Sequence, residues 1–214
     1  MRESMDGNPI QRITGATGVL ATLLMLVELP LYFVYGGAPP DGNIFTRSLL
    51  GIVGATLMIV FMAGLPQLVK TAPPERAWAG TVSAVAGLLW TTIALVSMGL
   101  EVGAAIQAPE PIDPTVAVSG TYILYGSISK LLMALFLGAF AYAFADRLPR
   151  WTVRSAAVLA VVQLAFVPSL YFGNDPANFY AANGWGTTAT MGGFIILWIL
   201  AASIAILRTR RVTT

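Results

Sequence analysis

The chain has 214 residues, 57% of them hydrophobic and only 10% charged, with a formal net charge of +2. A soluble domain carries roughly 25% charged residues, so part of this chain's solvent must be lipid. Cysteine and histidine are both absent. That excludes disulfides, thiolate metal sites, Ser-His-Asp catalysis and histidine-ligated haem. It also leaves acid–base chemistry to Asp, Glu, Lys or Tyr.

Six apolar runs follow in chain order, at about 13–35, 48–69, 78–100, 118–145, 152–172 and 187–207. Roughly 20 residues at 1.5 Å each cross a 30 Å hydrocarbon core, so each run is long enough to span. A helix satisfies its own backbone in lipid. The expected fold is therefore all-α, a six-helix transmembrane bundle forming a single integral membrane domain over 1–214. The first run is too long for a signal-peptide core and reads as an uncleaved anchor. The fourth run is long for one crossing and is expected to tilt or protrude. Proline- and glycine-rich stretches punctuate the runs, among them Gly36–Gly42, Pro109–Pro114 and Gly173–Pro176.

Charge sets the expected orientation. Arg2, Arg12, Lys70, Arg76, Arg147, Arg150, Arg154, Arg208, Arg210 and Arg211 fall on one side, and Arg47 alone on the other. Both termini are thus expected in the cytoplasm of a multi-pass cell-membrane protein. The outer loops are acidic, with Asp41, Glu101, Glu110, Asp113 and Asp175 against Arg47. Nothing among them has metal-ligand spacing, and no cofactor, metal or nucleic acid is implied. The lipid bilayer is the evident partner, with a small or lipophilic ligand, a homo-oligomer or a membrane subunit as further candidates. The aromatic- and amide-rich loop 173–186 fits an interfacial segment on headgroups better than a cap over the bundle.

Two charges lie within spans, Glu28 in the first and Lys130 in the fourth. Such a charge costs about 2.5–3.5 kcal/mol at the bilayer centre on insertion scales, so it faces the bundle interior and finds partners. Counted from the outer edge, the two are offset by about 8 Å, which tilt or the long lysine stem can bridge. One reading is an ion pair that fixes helix register. The other is a ligand site.

Stripes at helical spacing support an inward Glu28: Thr14, Thr17, Ala21, Glu28, Tyr32 and Tyr35 on the first span. The fourth offers Ser119, Tyr122, Gly126, Ser129, Lys130 and Met133, and the third Ser83, Gly87, Trp90, Ala94 and Ser97. Gln163 sits near the middle of the fifth. Candidate ligand-binding residues are accordingly Glu28, Lys130, Tyr32, Tyr122, Ser129, Trp90 and Gln163. The small residues Gly87 and Gly126 are expected to permit close helix packing.

The stretch Leu135-Phe136-Leu137-Gly138-Ala139-Phe140, then Asp146-Arg147-Leu148-Pro149-Arg150-Trp151 and a further span, resembles a family of bacterial polytopic membrane proteins known as a domain of unknown function. The similarity in span order covers about 13–207. It implies a compact helical bundle in a bacterial inner membrane and no particular activity. Three functional classes remain open. They are a small-molecule or lipophilic-ligand binding or transport component, a membrane-embedded enzyme of terpene-cyclase type with Glu28 as its acid, and an accessory subunit of a membrane complex.

Overall fold

The computed structural model describes residues 8–118 and 120–209. Arg2, Ser119, Arg210 and Arg211, which entered the reading above, lie outside them. The described residues contain helices and no strand. The helices are α1 (Pro9–Leu31), α2 (Asp41–Val69), α3 (Pro74–Gln107), the short α4 (Pro114–Ala117) and α5 (Thr121–Ile123), α6 (Ser129–Ala143), α7 (Arg150–Phe166) and α8 (Met191–Arg208). Six segments are long and apolar enough to cross a membrane: α1, α2, α3, Thr121–Ala143, Arg150–Phe172 and Gly186–Arg208.

Local chemistry sets the helix starts. Asn8 caps α1 by accepting from the Ile10 amide, and Pro9 occupies the first turn, where its missing N–H is not needed. Pro74 opens α3 and Asp113 caps α4 in the same ways. The fourth span is not one long helix. Gly120 takes the left-handed conformation at φ 88°, which only glycine adopts cheaply, and this turn separates α4 from α5. A π-helical turn over Leu124–Ile128 then joins α5 to α6.

Both ends of the described chain meet at one end of the bundle. The Gln11 side-chain amide donates to the carbonyls of Ile206 (2.6 Å) and Thr209 (2.7 Å), tying the start of α1 to the end of α8. At the same end Arg147 donates to the Leu68 carbonyl (2.7 Å) and the Thr71 hydroxyl (2.9 Å). Arg76 pairs with Asp146 beside it. We call this the terminal end and the opposite one the loop end.

The helices bury their small and aromatic faces together. Phe136, Phe140 and Trp198 pack edge to face, and Phe144 stacks on Phe140 at 4.4 Å. Gly87 lets the Met62 thioether lie against the α3 backbone, as its spacing leads one to expect. Leu20, Val27, Leu49, Val60, Val158 and Val161 are exposed on the bundle's outside, the apolar coat a lipid-facing surface requires.

Candidate functional site

Two charged residues assigned to outer loops by sequence are inside the bundle. Arg47 lies in α2 and is 2% exposed, and Glu101 lies in α3 and is 1% exposed. α2 begins at Asp41 rather than near 48, and α3 runs to Gln107 rather than ending at 100. By hydropathy alone, a charge marks the edge of each apolar run. The helices continue through these charges because the side chains turn inward. The remaining loop acids behave as expected. Asp41, Glu110 and Asp175 are exposed, and Asp113 caps its helix. No cluster of acids suited to a metal occurs among the described residues.

Three helices bring the charges together. On α2, Arg47 and Gly51 are one turn apart on the buried face. A Cβ on Gly51 would stand 2.8 and 2.9 Å from the two Glu28 carboxylate oxygens, so glycine is what lets Glu28 lie across α2 towards Met98 of α3. Glu101 is three residues beyond Met98, on the same face. The Tyr32 hydroxyl donates to Glu28 Oε1 at 3.2 Å. The Arg47 guanidinium lies 4.1 Å from the centre of the Tyr32 ring, a cation–π contact. Its charge acts on both Glu28 and Glu101. Arg47 Nε and Nη2 and Glu101 Oε1 are nonetheless buried without a hydrogen-bond partner.

Lys130 is elsewhere. The Ser83 hydroxyl donates to the Phe136 carbonyl at 3.0 Å and fixes the register of α3 against α6. From that level α3 climbs towards the loop end, and α6 descends to it. At ~1.5 Å per residue, Lys130 then stands about 9 Å above this hydrogen bond, Met98 about 22 Å and Glu101 about 27 Å. Glu28, beside Met98, is therefore roughly 13 Å above Lys130 along the bundle, further than the stem of a lysine bridges. Among the described residues no ion pair joins them. Lys130 is 4% exposed, and no hydrogen bond or ion pair to it is seen among the described residues. Of the two readings of these charges, the register-fixing ion pair is not present among the described residues.

A cavity of about 480 Å³ connects the two levels. Glu28, Tyr32, Tyr122, Ser129, Trp90 and Lys130 all line it, as do Glu101 and Tyr125, which the sequence reading missed. Gln163 does not. It is fully buried, and its side-chain amide donates to the Met191 carbonyl at 3.4 Å, joining α7 to α8. Tyr35 also leaves its stripe and is 46% exposed beyond the end of α1. Apolar wall is supplied by Met25, Ala94, Met98 and Ile196.

The loop 173–186 caps this cavity rather than only lying at an interface. Ala181 and Ala182 are buried, and a Cβ on Gly126 would meet the Ala182 carbonyl at 2.8 Å. Pro176, Asn183 and Trp185 line the cavity mouth. The lack of a side chain at Gly126, in the π-helical turn, is thus what seats the cap. Phe172, Phe179 and Trp185 stay partly exposed around it.

No family model matches the chain, and neither does any curated protein or solved structure. Function has to be argued from the cavity itself.

Proposed function

We propose that the protein is a ligand-binding or transport component of a membrane, and that its ligand is a small or lipophilic molecule held in the loop-end cavity. One observation carries this reading. Glu28, Glu101 and Lys130 all line one open cavity inside membrane-spanning helices, and no carboxylate there is paired with the lysine. Ionisable side chains kept at this depth mark substrate or ion pathways more often than they serve packing. The cavity's size and mostly apolar wall suit a drug-sized molecule.

The orientation proposed with it follows the positive-inside rule. Arg12, Lys70, Arg76, Arg147, Arg150, Arg154 and Arg208 gather at the terminal end, which is then cytoplasmic in a cell membrane of bacterial inner-membrane type. The cavity then faces the opposite side.

The enzyme reading with Glu28 as acid needs a carboxyl free of nearby cations. The distance to Lys130 favours it, but the Arg47 guanidinium lies on the ring of the same Tyr32 that donates to Glu28, so a cation stands in the cluster. Binding is the better-supported class.

The test is ligand-dependent thermal stabilisation of the purified protein in detergent, screened with lipophilic compounds. Stabilisation of the wild type is expected to vanish in Glu28→Gln. Equal stabilisation of both would place the ligand elsewhere.

A further inference from the structure

The cavity has two electrical poles, and their arrangement specifies a ligand. The upper pole holds two carboxyl groups, Glu28 and Glu101, and one guanidinium, Arg47, so its formal charge is negative. Its acceptors are not used up. Glu101 lines the cavity, and its Oε1 is buried without a hydrogen-bond partner. Aromatic rings of Tyr32, Tyr122, Tyr125 and Trp185 surround this level, the setting in which an organic ammonium gains from both carboxylate and ring faces. The lower pole holds Lys130 alone, with Ser129 beside it and Trp90 across from it. Among the described residues no hydrogen bond or ion pair reaches this amine.

Glu28 and Glu101 against Arg47 and Lys130 sum to zero formal charge. A purely cationic or purely anionic ligand would leave an unbalanced charge in a low-dielectric site. A dipolar ligand balances both poles at once. By the register above, the poles stand roughly 13–18 Å apart at the level of the backbone, less the reach of the side chains. Between them lies apolar wall, Met25, Ala94, Met98 and Ile196.

We propose that the ligand is an elongated amphiphilic zwitterion: an amine seated between Glu28 and Glu101, an apolar middle, and a carboxylate or phosphate at Lys130. This rests on the binding reading above and names the ligand's chemical class. The chemistry is an ammonium and an anion separated by an apolar chain, as in an ω-amino acid.

The probes are ω-aminododecanoate, dodecylamine, dodecanoate and dodecanol, titrated against protein in lipid nanodiscs with intrinsic tryptophan fluorescence as readout. A short-chain phosphatidylethanolamine, whose ammonium and phosphate are only two carbons apart, is the control for charge separation and is expected to bind no tighter than the singly charged probes. ω-Aminododecanoate is expected to bind at least about tenfold tighter than either singly charged probe, the worth of one charge-assisted contact. Glu101→Gln weakens the zwitterion and dodecylamine and spares dodecanoate. Lys130→Met weakens the zwitterion and dodecanoate and spares dodecylamine, and Lys130→Arg restores the zwitterion. Elution of each variant as a single species in gel filtration separates lost binding from lost folding.

Equal affinity for all four probes, unchanged in the variants, overturns the zwitterion and leaves lipophilic binding standing. No binding of any probe, while other lipophilic compounds stabilise the protein in a Glu28-dependent way, overturns the zwitterion alone. No stabilisation by anything overturns both.

Discussion

Replacing Arg47 with leucine tests the charged cluster directly. Arg47 is 2% exposed, lies on the Tyr32 ring, and among the described residues is the cation of the cluster that holds Glu28 and Glu101. Leucine keeps most of the packing volume but leaves two buried carboxylates without their counter-charge. Removing one partner of a buried charge cluster costs about 3–5 kcal/mol, chiefly the penalty of the charge left behind. The unfolding midpoint of Arg47→Leu in a mixed-micelle SDS titration, followed by far-UV circular dichroism, is expected to fall accordingly. Adding Glu28→Gln should recover part of the loss, because it removes one of the stranded charges. A coupling of about 1–3 kcal/mol between the two substitutions is the signature of contact. A loss below about 1 kcal/mol with no coupling would mean that Arg47 is solvated in the membrane protein, and the cluster would not be a built feature.

Lys130→Met should stabilise the ligand-free protein, because it replaces an unpartnered buried amine with an apolar chain of similar length. A gain of about 1–3 kcal/mol in the same titration is expected, and a loss would reveal a structural partner for the amine. Gly126→Val drives a branched side chain against the Ala182 carbonyl. It should lift the cap and speed proteolysis within 173–185 at least several-fold, and unchanged cleavage would mean that the loop is not seated there. The chain has no native cysteine, so single cysteines report topology cleanly. A membrane-impermeant maleimide should label Glu110→Cys in intact cells and Lys70→Cys only after lysis, and the reverse pattern would invert the proposed orientation.

The six spans were legible because length and apolarity are one-dimensional properties, and each helix needs nothing from its neighbours to satisfy its backbone. Six of the seven candidate site residues line one cavity for a related reason: helical spacing places a stripe on a face before any fold is known. Two of the misses share one cause. Arg47 and Glu101 were read as the ends of apolar runs because hydropathy alone cannot tell a charge leaving the membrane from a charge turning into the bundle. Spacing held the missing signal. The stripe Ser83, Gly87, Trp90, Ala94, Ser97 reaches Glu101 in four more residues, and Arg47 stands four before Gly51 on the face that continues through Met58 and Met62. Gln163 failed in the opposite sense. Its position mid-span was right, but its side-chain NH2 is taken up by a carbonyl of α8, away from the cavity, and its Oε1 is buried without a partner.

The separation of Glu28 from Lys130 changes what their cost means. Paired, the two would offset each other's desolvation, and the bundle would need no other explanation for them. Apart, Lys130 bears its penalty alone, in a wall where methionine would pack as well. Packing therefore gives no reason for a lysine at this position, whereas a ligand with an anionic end does. The upper level is incomplete in the same way: one guanidinium faces two carboxyl groups, and Glu101 Oε1 is left without a hydrogen-bond partner among the described residues. Each pole is incomplete by one charge of opposite sign, and the cavity joins the two deficits.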